Sequence, residues 1–119
     1  MPVLGFGGYF RRARDPAALK AWYLHHLGIG PAMPDQHAWN TTAGPVVFEP
    51  FAQDSRYFAP DMPVMINFRV SDIDALIRDL RAAEIAVETR AEWDHPDYGR
   101  FARIHDPEGN PIELWQEPG

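Results

Sequence analysis

No cysteine occurs in the 119 residues. That excludes a disulfide framework, a thiol nucleophile and any zinc site built on thiolates. Positive charge is also scarce: 11 Lys and Arg stand against 17 Asp and Glu, a formal net charge of −6. Nucleic-acid binding needs clustered cations, so no nucleic-acid partner is expected. The balance leans instead toward neutral or cationic small ligands. No run of about 18 apolar residues exists to cross a membrane. The opening residues lack a charged region followed by an apolar stretch. The expectation is a soluble, cytoplasmic protein with no membrane partner. A phosphate-cradling loop is missing too: Gly5-x-Gly7-Gly8 lacks the helix start and the spacing such loops need. No Ser–His–Asp arrangement can be argued.

What remains is a chain of one-domain length. Twelve prolines punctuate it into short elements. Asp15 is a good N-cap, and Pro16 at the first helical position loses no needed N–H. Leu19, Trp22, Tyr23 and Leu27 follow at helical spacing, and Gly28 suits a left-handed helix end. This predicts an amphipathic helix over Asp15–Leu27. His25 and His26 fall near its C-terminus, where a protonated imidazole gains from the helix dipole. A second helix is predicted from Ser71 and Asp74, which resemble a capping box, and from the stripe Ile73, Leu76, Ile77, Leu80 and Ala83.

A strand-like run precedes each helix: Val3–Ala13 and Val64–Val70. In the latter Val64, Ile66, Phe68 and Val70 alternate with Met65, Asn67 and Arg69. Strand-like pieces follow each helix: His37–Asn40, Val46–Phe51, Ala86–Glu92 and a closing hairpin. The order strand–helix–strands thus occurs twice. Ala52–Met62 reads as a linker. Glu92-Trp93-Asp94-His95-Pro96-Asp97-Tyr98-Gly99 is acidic and aromatic, either a lid over a cavity or a solvated loop.

The hairpin has the sharpest signal. In Asp106-Pro107-Glu108-Gly109-Asn110, Asp suits the first position of a type I turn, Pro the second, and Gly the exit. Folding there opposes His105 to Pro111, Ile104 to Ile112, Arg103 to Glu113, Ala102 to Leu114 and Phe101 to Trp115. One face is then apolar: Ala102, Ile104, Ile112 and Leu114. The other carries Phe101, Arg103, His105, Glu113 and Trp115, the pattern of a pocket wall. A slip of one residue would scatter the apolar set.

Asp106-Pro107-x-Gly109-Asn110-x-Ile112-Glu113-Leu114 resembles the closing motif of the vicinal-oxygen-chelate superfamily, the glyoxalase, bleomycin-resistance and extradiol-dioxygenase group. Trp22-Tyr23 followed by Leu27-Gly28-Ile29 resembles its first-helix motif. Phe68-Arg69-Val70-x-Asp72-x-Asp74-Ala75 resembles the start of its second module. The resemblance implies an α+β fold of two paired βαβββ modules, whose curled mixed sheets form a cavity. It implies one glyoxalase-like domain over 1–119, with module one at about 1–52, a linker at 53–62 and module two at about 63–119. It also implies a homodimer and a small-molecule ligand.

In metal-using members of that group each module offers a His or Gln on its first strand and a Glu near the end of its last. Glu113 matches the second-module Glu, and Glu49 the first. At the first-strand positions this chain has Gly8, with no side chain, and Met65, a soft thioether poorly suited to a hard or borderline cation. Arg103 opposes Glu113 at about 5 Å. A divalent cation at that distance from a guanidinium is repelled by roughly 6–7 kcal/mol at an effective dielectric near 20.

Two readings stay open. One is a metal-dependent lyase, isomerase or dioxygenase, with Glu49 and Glu113 as metal ligands and Glu113 as the catalytic carboxylate. The other is a metal-free protein of the bleomycin-resistance kind that sequesters an aromatic or cationic compound. Gly8 and Met65 favour the second. The cofactor is unassigned, a divalent metal being possible but disfavoured. The candidate ligand-binding residues are Glu49, Phe51, Asn67, Phe101, Arg103, His105 and Trp115. Arg103 could hold a carboxylate or phosphate or serve only as a cross-strand partner of Glu113. His105 could act as a base near neutral pH or only cap the turn.

Overall fold

The computed structural model describes residues 4–31 and 37–119. It is an α+β arrangement with five main elements: α1 (Pro16–Leu27), β1 (Ile66–Arg69), α2 (Ile73–Ala82), β2 (Arg100–His105) and β3 (Pro111–Gln116). A single 3-10 turn, Ala91–Trp93, precedes β2. Among the described residues no helix is long and apolar enough to cross a membrane.

The strands form one mixed sheet in the order β1-β3-β2, with β1 parallel and β2 antiparallel to the central β3. The hairpin pairs as the turn dictates: Arg103 opposes Glu113, and Phe101 opposes Trp115. On the parallel side Asn67 partners Glu113 and Arg69 partners Trp115. Alternation therefore puts Asn67, Arg103 and Glu113 on one face. Ala102, Ile104, Ile112 and Leu114 on the other face are fully buried against Ile73, Ile77 and Leu80 of α2. Removing each such Ile or Leu side chain from water contributes about 1.5–3 kcal/mol, so this layer holds the sheet rigid beneath the polar face.

Both helices are capped by an Asp three residues ahead of the amide it accepts from. Asp15 accepts from the Ala18 N–H and Asp72 from the Ala75 N–H, each at 3.1 Å. The cap of α2 is thus Asp72, not the expected Ser71, because the shorter helix Ile73–Ala82 begins one residue later. Gly28 ends α1 at φ 66°, a conformation costly for any residue with a Cβ. Trp22, Tyr23 and Leu27 of α1 pack on the core, although no residue of this helix is fully buried.

The turn between β2 and β3 also anchors α1. Asp106 is buried and accepts from the Asn110 and Glu108 backbone N–H groups, from Asn110 Nδ2 and from Tyr23 Oη at 2.7 Å. Burial alone would raise the Asp106 pKa, but these hydrogen bonds favour the anion and hold it below the usual carboxylate range. Burial, and then the Asp106 carboxylate, push the Tyr23 phenol well up. Glu108 accepts from the Arg14 and Asp15 N–H groups at the start of α1.

The expected strands of the first half are absent among the described residues. Residues 4–13, 37–40 and 46–51 lie in no strand, and Val3, the expected start of the first run, falls outside the described residues. Ala86–Glu92 forms no strand: it yields a bridge of Glu88 to Arg103 and the start of the 3-10 turn. Alternating apolar residues fit a strand, but a strand exists only through a partner's backbone. These segments have none among the described residues, and Leu4, Phe6, Phe10, Val46, Val47 and Phe48 are left exposed.

Candidate functional site

Three strands aim one polar side chain each at a common point. Glu113 stands on β3, Arg103 beside it on β2 and Asn67 beside it on β1. Glu113 and Arg103 are both buried, their side chains only 10% and 6% exposed. Such burial requires partners for both charges. Asn67 Nδ2 donates to Glu113 Oε1 at 2.8 Å, and Tyr57 Oη donates to Glu113 Oε2. Arg103 Nη2 lies 3.9 Å from the same Oε2. Burial, and then the bond to Glu113, push the Tyr57 phenol well above its usual range.

Tyr57 and Trp93 cover the pair. The Arg103 guanidinium lies 5.0 Å from the Tyr57 ring centre and 5.2 Å from that of Trp93, both within cation–π range. The two rings meet edge to face at 6.0 Å. Phe51 packs on Tyr57 at 5.5 Å and on Phe58 at the same distance. Arg103 Nη1 donates to the Tyr57 carbonyl at 3.1 Å. Its Nε and Nη2 are buried without a hydrogen-bond partner among the described residues. Five donors in a fixed fork give Arg high capacity, and here part of it is unused.

The structure therefore brings together Asn67, Arg103 and Glu113, with Phe51 touching the cluster through Tyr57. Phe101 and Trp115 stack in parallel, 6.3 Å apart, farther along the same face, and Trp115 Nε1 donates to the Tyr98 carbonyl at 2.7 Å. Glu49 and His105 stand apart: both are exposed, and neither takes part in the hydrogen bonds around Glu113. An open concavity of about 450 Å³ lies elsewhere, between Asp94–Pro96 and Gln116–Gly119.

Tyr57 and Trp93 are the partners that sequence reading did not place. Tyr57 lay in the presumed linker, and its half-burial shows that segment to be part of the site's cover. Its one signal was an aromatic pair, Tyr57-Phe58, inside an otherwise polar stretch. Trp93 lay in the acidic, aromatic segment read as a lid or a loop.

The donors present suit a divalent metal poorly. Both Glu113 oxygens are engaged by protein hydrogens and a cation stands beside them. Gly8 offers no ligand, and Glu49 is exposed. Among the described residues no group of three or more His, Asp or Glu side chains gathers as a metal site would need.

The family model described as Glyoxalase/Bleomycin resistance protein/Dioxygenase superfamily matches residues 5–114. Among solved structures the chain is similar to the crystal structure of TnmS3, an antibiotic binding protein from Streptomyces sp. CB03234. The identity is 22%, the TM-score 0.58, and 98% of each chain is covered. That likeness concerns the fold. No curated protein matches the chain.

Proposed function

Because the chain belongs to the Glyoxalase/Bleomycin resistance protein/Dioxygenase superfamily, we propose that it binds a small organic molecule over the Arg103–Glu113 face without a metal centre. The observation that carries this reading is the state of Glu113. Its oxygens are committed to Tyr57 and Asn67 and it is paired with Arg103, an arrangement that serves polar recognition rather than metal ligation. Phe51, Trp93, Phe101 and Trp115 supply aromatic surface nearby. The similarity in fold to an antibiotic binding protein supports sequestration as the role.

The cavity itself is completed, on this reading, by the first half of the chain. Residues 4–13 and 46–51 pair as strands with a second copy, giving two βαβββ modules, about 1–52 and 63–119, across a homodimer. Their exposed apolar side chains, and a backbone that joins no strand among the described residues, support this.

Tryptophan fluorescence tests the proposal, titrated against planar aromatic and quaternary ammonium compounds. Saturable quenching should occur with at least one class and weaken at least about fivefold in Trp115→Ala, which removes one wall of the site. Sedimentation of the same samples should give twice the chain mass. No quenching by any compound would sink the binding reading, and a monomer at all concentrations would sink the paired arrangement.

A further inference from the structure

The cover over Arg103 and Glu113 has the form of a ligand. Tyr57 presents a flat ring to the guanidinium, a hydroxyl to Glu113 Oε2 and a ring face to Phe51. Its neighbours Asn67, Arg103 and Glu113 stand on strands fixed by the core, whereas Tyr57 comes from a turn-rich segment outside any strand. The side chain can leave while its backbone stays, because the hydrogen bond from Arg103 Nη1 to the Tyr57 carbonyl does not depend on where the ring lies.

Two needs define what could replace it. Glu113 Oε2 would lose its hydroxyl donor and require another, since an unpaired buried carboxylate oxygen is costly. Among the described residues Arg103 Nε and Nη2 already lack an acceptor, and the Tyr57 hydroxyl, which donates to Glu113, is not placed to accept from either. The two positions are neighbours: Nη2 and Oε2 lie 3.9 Å apart. A hydroxyl next to a carbonyl or carboxylate oxygen on one aromatic ring meets both needs at once. A phenol alone meets only the first, and an aromatic acid alone only the second.

We infer that Tyr57 is a built-in surrogate for the ligand, and that the ligand is a planar aromatic with a hydroxyl beside a carbonyl or carboxylate oxygen, which displaces the Tyr57 ring from Glu113 and Arg103. This rests on the small-molecule reading above and narrows it to one chemical class. Displacement makes Tyr57 a competitor: its hydroxyl bond to Glu113 must break before the ligand's can form. Removing that hydroxyl therefore strengthens ligand binding, the reverse of what a direct contact residue would do. A hydrogen bond to a charged group is strong enough for the gain to reach about tenfold or more.

The test is fluorescence titration of the full chain with salicylate, with benzoate and phenol as comparators. Wild type, Tyr57→Phe and Arg103→Lys are compared, with the melting of each variant recorded to establish folding. Salicylate should bind wild type more tightly than either comparator. Tyr57→Phe should bind it at least about tenfold more tightly. Arg103→Lys, which keeps the charge but loses the fork, should cancel the preference of salicylate over phenol. Unchanged or weaker salicylate binding in folded Tyr57→Phe would overturn the inference, as would absence of salicylate binding to both proteins. If other aromatic compounds still quench wild type in that event, the inference fails and the broader binding reading stands. If nothing quenches, both fail.

Discussion

Replacing Arg103 by Met should destabilise the fold by about 3–5 kcal/mol, read as a lowered midpoint in urea with an unchanged slope. Met restores much of the volume, so the cost is electrostatic. Glu113 stays buried on β3, held only by Tyr57 and Asn67, with no cation to offset its desolvation. The substitution also strips the cover: the Tyr57 carbonyl loses its donor, and the Tyr57 and Trp93 rings lose the charge they pack on. Adding Glu113→Gln should recover more than half the loss, because a neutral amide no longer needs the guanidinium. A cost below about 1 kcal/mol for Arg103→Met would mean that the pair is solvated like a surface ion pair, and the buried-cluster description would fail.

Replacing Asp106 by Ala should cost at least about 3 kcal/mol. Four hydrogen-bond donors lose their acceptor in a buried turn: Tyr23 Oη, Asn110 Nδ2 and the N–H groups of Glu108 and Asn110. Each such loss costs about 1–3 kcal/mol where water cannot substitute. The Tyr23 bond ties α1 to the hairpin, so α1 should loosen first, visible as faster amide exchange over Pro16–Leu27. The pH dependence has a definite sign. Asp106 is held below the ordinary carboxylate range, so its contribution is complete above about pH 4. It is lost as pH falls through the lower folded value. The stability gap between wild type and Asp106→Asn should be wide at neutral pH and close in acid. A gap that is the same at pH 7 and in strong acid would contradict the assignment.

The hairpin was legible in the sequence because its information is local. A turn of five residues fixes the register, and the register fixes every face. That is why Arg103 and Glu113 could be placed together from residue types alone. The two helices were legible for a similar reason: Asp15 caps the first and Gly28 stops it, and the apolar stripe marks the second, although its cap is Asp72 and not the expected Ser71. The cover of the site was not, because Tyr57 reaches Glu113 across 56 positions from a segment with no periodicity. Nothing local distinguishes such a tyrosine from one on a solvated loop. The first-half strands illustrate the opposite limit. Val46-Val47-Phe48 has strand-like composition, yet strand formation depends on a partner that the composition does not name. Glu49, expected beside Glu113, is exposed for the same reason.

We propose that Glu113 belongs to a polar network for an organic ligand and not to a metal centre. Elemental analysis tests it most directly, on protein purified without chelators and compared with Glu113→Gln. The expected result is far less than one equivalent of nickel, zinc, manganese or iron per chain, with no difference between the two proteins. One equivalent of any of these in the wild type, lost in Glu113→Gln, would contradict it.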